Sequence, residues 1–156
     1  MLRVIAIGTR MPTWVDAAFE DYTRRLRGSW ALEFTALSSA SRGKLREEAT
    51  RARSAEAERI LALLSPRDYV VALDEHGAEP TTVELKDWLE ERRGAGRPIT
   101  FIVGGADGLD AAVLARSQYR WALSRLTLPH GLARVVLVEQ LYRASTLLAR
   151  HPYHRE

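Results

Sequence analysis

The sequence predicts an α/β protein in which a parallel sheet is covered by helices on both faces. Three observations carry this. Short, near-continuous apolar runs recur at LRVIAIG, DYVVALD and PITFIVGG, as strands buried on both faces do. Longer, charge-rich amphipathic stretches separate them, and such strand–helix alternation is the pattern of a parallel sheet. The chain has 156 residues, 46% hydrophobic and 28% charged, which suits one domain over 1–156 that buries its own core.

Each element has a local reason. LRVIAIG is an apolar strand ended by Gly8. PTWVDAAFEDYTRRLR begins with Pro12, a residue suited to a first helical turn, and places Trp14, Val15, Ala18, Phe19, Tyr22 and Leu26 on one face. WALEFTAL alternates as a second strand. A long charged helix follows from Lys44 to Leu64, with an apolar stripe at Leu45, Ala52, Ile60 and Leu64. DYVVALD is the third strand. TTVELKDWLEERR is a helix with a threonine cap and acidic residues ahead of basic ones, as the helix dipole prefers. PITFIVGG is the fourth strand, LDAAVLARSQ a short helix capped by Asp110, and YRWALS the fifth strand. A long helix from about Gly131 to Arg150 closes the chain.

Composition narrows the chemistry. The chain contains no cysteine. Disulfides, thiolate zinc sites, iron–sulfur clusters and a cysteine nucleophile are thereby excluded. The opening apolar run is too short for a signal-peptide core. Nothing approaches the roughly 20 apolar residues that span a bilayer. A cytoplasmic protein with no membrane partner is expected. The net charge is +3 and the pI about 9.6, which permits an anionic partner without requiring one. Lys44 and Lys86 are the only lysines among many arginines. Genomic base composition explains that bias; so does phosphate recognition, which arginine forks match.

Ligands of such sheets sit beyond the carboxyl ends of the strands. Three segments lie there: LDEHG (73–77), VGGADGLD (103–110) and ALSRLTLPHG (122–131). The glycines of the second allow a close backbone approach, but the segment is neither a Walker loop nor a dinucleotide fingerprint. The third is largely apolar and suits an uncharged aromatic ring such as adenine. Both also read as structural connections. The last helix is apolar beyond one stripe, which points to a homodimer. His151 and His154, three residues apart, lack a third ligand, so no metal is expected. No serine elbow is present. The chain ends in HPYHRE, an unusual density of functional side chains for a terminus.

Taken together, IAIGTRMPTWVDAAFEDYTRRL, FIVGGADGL, LSRLTLPHGLARVVLVEQLYRA and HPYHRE resemble the RlmH-type large-subunit ribosomal RNA methyltransferases of the SPOUT superfamily, over nearly the whole chain. The resemblance implies a SPOUT fold with a C-terminal trefoil knot, and a homodimer. It implies S-adenosyl-L-methionine as methyl donor. The implied product is a pseudouridine methylated at N3 in helix 69 of 23S rRNA, within the large subunit or the assembled ribosome. The implied donor contacts are Leu73, Gly104, Gly105, Leu123, Ser124, Arg125, Leu126, Thr127 and Leu128. Ala106 and Asp107 stand where many relatives have proline and glutamate, so no role is assigned to those side chains.

The implied reaction is an in-line displacement at an activated methyl, aided by alignment and by proton removal from the N3 imide. His154 is the candidate general base, Arg155 the anion stabiliser or phosphate clamp, and Tyr153 a stacking platform for a flipped base. A tail that only orders and positions the RNA is an equal alternative. Arg3, Arg10, Arg24, Arg25 and Arg143 are candidate phosphate contacts. A SPOUT enzyme of another RNA such as tRNA, and a non-catalytic knotted RNA-binding module, stay open.

Overall fold

Alternation along the first strand decides the architecture. In β1 (Leu2–Ile7), Leu2, Val4 and Ala6 enter one hydrophobic cluster while Ile5 and Ile7 enter another. A strand buried on both sides must carry helices on both faces. The computed structural model describes residues 1–41 and 45–155, without the side chains of 154 and 155.

The strands β1, β2 (Leu32–Leu37), β3 (Tyr69–Ala78), β4 (Ile99–Val103) and β5 (Tyr119–Trp121) form one sheet in the order β2-β1-β4-β3-β5. Every pairing is parallel. One face packs on α1 (Thr13–Arg25), α3 (Thr82–Gly94) and α5 (His130–Leu148), through Phe19, Leu85, Leu89, Leu137, Val138 and Leu141. The other face packs on α2 (Arg46–Ala62) and α4 (Ala111–Arg116), through Ala57, Ile60 and Val113.

Local signals act as expected in α3 and α4. The Thr81 hydroxyl accepts from the Glu84 amide and the Glu84 carboxylate accepts from the Thr81 amide, a reciprocal cap. The Asp110 carboxylate accepts from the Ala112 amide. Elsewhere tertiary context shifts the outcome. A 3-10 turn, Gly28–Trp30, takes the start of the expected second strand. Lys44 lies outside the described residues, α2 starts at Arg46, and Leu45 is 67% exposed. Trp14 sits on α1 but is exposed, because the buried contacts fall to Val15 and Phe19.

The chain itself covers part of the apolar surface of α5: Leu137, Val138 and Leu141 are buried, while Leu132, Val135, Val136, Leu147 and Leu148 stay partly exposed. The helix lies on the sheet between α1 and α3, and none of its residues from 130 to 148 is fully exposed. Its end carries an uncommon feature. Arg150 adopts a left-handed φ of 55°. The His151 amide donates to the Thr146 carbonyl (2.8 Å) and the Arg150 amide to Leu147 (3.2 Å). This Schellman turn sends the chain back along the helix, and the short helix Pro152–Arg155 packs against α5.

Candidate functional site

Because all strands are parallel and β4, β3 and β5 are neighbours, their carboxyl ends open at one place. A cavity of about 540 Å³ lies there, within the roughly 300–1,000 Å³ usual for small-molecule sites. Leu73, Asp74 and Glu75 line it from β3, Val103 from the end of β4, and Gly104, Gly105, Ala106 and Gly108 from the turn after it. The end of β5 supplies Trp121, the connection after it Ala122 to Ser124 and Leu126 to Pro129, and the first turn of α5 adds His130 and Ala133.

Each segment is held there for a local reason. The register of β3 against β5 jumps from Leu73↔Trp121 to Ala78↔Trp121, so residues 74–77 bulge out at the cavity edge. Gly77 permits the return, since a Cβ there would stand 2.6 Å from the Arg120 carbonyl carbon. The turn after β4 is closed by the Gly108 amide donating to the Gly105 carbonyl (3.1 Å). A Cβ on Gly104 would come within 2.9 Å of the Gly108 carbonyl carbon. After β5, the Ser124 hydroxyl accepts from the Leu126 amide (2.9 Å), a local turn that fixes the backbone between them.

The lining suits a cationic or neutral ligand with an apolar ring. Leucines and valine dominate its walls, Asp74 and Glu75 supply carboxylates, and among the described residues no arginine or lysine side chain lines it. A polyphosphate would lack a counter-charge there; a sulfonium would not. Burial, then the charge of Arg134, hold the His130 imidazole below its usual pKa, which favours its neutral form.

Arg134 is the residue that motif reading missed. It is 3% exposed. Its Nη2 donates to the carbonyls of Ile7 (2.5 Å) and Gly8 (2.7 Å). It thereby ties the carboxyl end of β1 to the helix whose first turn lines the cavity. The signal was its position, three residues before Leu137 and four before Val138 on the buried face of α5.

Of the nine expected donor contacts, Leu73, Gly104, Gly105, Leu123, Ser124, Leu126, Thr127 and Leu128 line this cavity. The Arg125 side chain does not. It is 88% exposed and its Nε reaches Glu79 at 3.3 Å. Residues outside the expected set also line the cavity, among them Asp74, Glu75, Trp121 and His130.

The tail lies elsewhere in the chain. The Tyr153 hydroxyl donates to the Tyr22 hydroxyl (3.1 Å) and stands 3.3 Å from Glu139 Oε1. Its ring meets Tyr142 edge-on at 4.7 Å, and the Arg143 guanidinium lies over it at 5.0 Å. Burial, the Tyr22 hydrogen bond and the Glu139 charge all push its phenol well above the ordinary range. The α5 helix starts at the cavity and has 19 residues. At about 1.5 Å per residue, roughly 28 Å separates its two ends. The side chains of His154 and Arg155 lie outside the described set.

The candidate phosphate arginines divide in the same way. Arg24 and Arg25 pair with Asp21 on the last turns of α1, and Arg143 pairs with Glu139. Arg3 is bound to buried Asp68 at 3.1 Å. Arg10, exposed just after β1, stands at the end where the cavity opens. Among the described residues, no group of three or more histidines, aspartates and glutamates could hold a metal ion, and no helix is long and apolar enough to cross a membrane.

Comparison with known proteins adds a family. A family model described as "Predicted SPOUT methyltransferase" matches residues 1–154. The chain is 48% identical over 155 residues to the ribosomal RNA large subunit methyltransferase H of Thiobacillus denitrificans, covering 99% of both chains. It is 47% identical over 154 residues to the protein of the same name from Bordetella pertussis, covering 99% of this chain and 98% of that one. The Methylobacillus flagellatus protein of that name is 43% identical over 155 residues, with 99% of both covered. With its parallel five-stranded sheet and a match that runs from residue 1 to residue 154, this chain belongs to the SPOUT methyltransferase family.

Proposed function

We propose that this protein transfers a methyl group from S-adenosylmethionine to N3 of a pseudouridine in helix 69 of 23S ribosomal RNA. The observation that carries the reading is the convergence of the three post-strand segments on one cavity that, among the described residues, no arginine or lysine lines. The relatives' name, ribosomal RNA large subunit methyltransferase H, supports ribosomal RNA as the substrate.

In this reading Leu73, Gly104, Gly105, Leu123, Ser124, Leu126, Thr127 and Leu128 hold the donor. Backbone groups of the glycine turn and the apolar walls grip its uncharged parts, and Asp74 and Glu75 favour its positive charge. When bound, S-adenosylmethionine supplies a methyl on an activated sulfonium, ready for in-line displacement. The chain then aligns the nucleophilic nitrogen and keeps water out. His154 takes the N3 proton, Arg155 stabilises the resulting anion or clamps a phosphate, and Tyr153 stacks on the base. The knotted backbone of the family accompanies this site.

The separation of tail and cavity gives the dimer a purpose. A tail held against the middle of α5, at Glu139 and Tyr142, lies off the cavity of its own chain and serves the cavity of a second copy when two α5 helices pack antiparallel. Each active site is then complete only in the homodimer. The place of action is the cytoplasm, where ribosomes are.

Tritiated methyl transfer tests the reading on assembled ribosomes, free large subunits and tRNA. Label on the large-subunit RNA is expected. Label on tRNA alone would replace it with another RNA enzyme of the family, and binding of donor without transfer to any RNA would leave a binding module.

A further inference from the structure

The structure separates Arg125 from the residues around it. Leu123, Ser124, Leu126 and Thr127 all line the cavity, yet the Arg125 guanidinium points outward. The Ser124–Leu126 turn sets that direction. Its contact is a single exposed ion pair with Glu79, itself 43% exposed. Nearby, half-exposed Arg120 stands 3.9 Å from Asp74, a cavity residue. Asp74 lies in the bulge of β3 and Glu79 directly follows that strand, while Arg120 lies within β5 and Arg125 four residues after it. The cavity rim beside β5 is thus an arginine pair facing an acidic strip.

Exposed ion pairs of this kind are weak and easily exchanged. A phosphate offers a guanidinium two oxygens in matching geometry and releases counterions on binding. We infer that Arg125, with Arg120 beside it, is an RNA phosphate contact at the cavity mouth, and that Glu79 and Asp74 neutralise the two arginines when no RNA is bound. Arg125 then serves the substrate, not the methyl donor. The acidic strip also raises the cost of non-specific polyanion binding, because each arginine must leave a partner before it meets a phosphate.

This inference rests on the ribosomal RNA reading above. The test is a salt series of equilibrium binding to purified ribosomes and large subunits, with donor affinity measured separately by calorimetry. For Arg125→Ala, the slope of log affinity against log salt should fall by about 0.7–0.9, one phosphate contact. Affinity at low salt should drop several-fold. Glu79→Gln should bind RNA about two- to five-fold more tightly, as release of an exposed pair implies, with its donor affinity unchanged. Arg125→Lys should keep the slope. Unchanged slope and affinity in Arg125→Ala and Glu79→Gln, while the wild type binds and methylates, overturn the inference alone. A tenfold loss of donor affinity in Arg125→Ala with an unchanged slope also overturns it and returns Arg125 to the donor site. Absence of wild-type binding and transfer on every ribosomal particle overturns the functional reading, and this inference with it.

Discussion

Gly104→Ala is a sharp probe of the cavity. The added Cβ would lie 2.9 Å from the Gly108 carbonyl carbon, 3.0 Å from its oxygen and 3.2 Å from Leu109 Cδ2. Carbon atoms in contact prefer about 3.5–4.0 Å, so the turn must retreat by roughly 0.6–1 Å. The obstacle is mostly backbone, which cannot rotate aside as a side chain would. Such overpacking costs about 1–3 kcal/mol. The turn is open toward the cavity, so most of the strain is relieved by moving Gly108 into the ligand space. If the donor must reverse that movement, its Kd rises by roughly 5- to 150-fold. Calorimetric titration with S-adenosylmethionine measures this, and thermal unfolding reports any residual destabilisation, about 2–4 °C per kcal/mol for a chain of this size. Gly94→Ala is the control, because nothing lies within 4 Å of its added Cβ. A Gly104→Ala protein with wild-type Tm and a Kd within two-fold would refute the placement of the donor against this turn.

Further expectations concern acid sensitivity, the tail and the helix end. His130 has a lowered pKa, so folding favours its neutral form; that stabilisation is whole above its ordinary value of about 6.5 and is lost as pH falls through the lowered folded value. Denaturant melts between roughly pH 5 and 8 should therefore decline toward acid less steeply in His130→Gln than in the wild type. Deleting Tyr153 to Glu156 should abolish methyl transfer while donor affinity stays within a few-fold; full turnover after deletion would show that the tail is inert. Arg150→Gly relieves the left-handed φ of 55°, and should raise stability by up to about 1 kcal/mol; a loss of stability would mean that the Arg150 side chain outweighs the backbone strain.

The parallel sheet was legible because Val4, Ile5, Val71 and Ile102 are apolar regardless of which face they meet, and buried strands need that. The three loops were legible because strand ends locate them in any parallel sheet. What sequence could not convey depends on distant partners. The extension of β3 to Ala78 exists because Ala78 meets Trp121 after a four-residue bulge, and no local propensity in DEHG encodes it. The outward turn of Arg125 depends on Glu79, 46 positions away. Arg134 is buried because the Ile7 and Gly8 carbonyls need donors at the end of β1, a demand set by tertiary packing. The exposure of Leu45 follows from α2 starting at Arg46, two residues later than expected, which leaves that side chain beyond the packed face. In HPYHRE the composition was visible, but the Schellman turn that folds it back on α5 was not, because arginine is an unusual residue for a left-handed position.

Hydrogen–deuterium exchange with and without S-adenosylmethionine tests the central claim most directly. Slowed exchange is predicted together in peptides covering residues 73–75, 103–108 and 121–133, the three walls of the cavity. Protection confined to a different part of the chain, or none at saturating donor, would contradict the account.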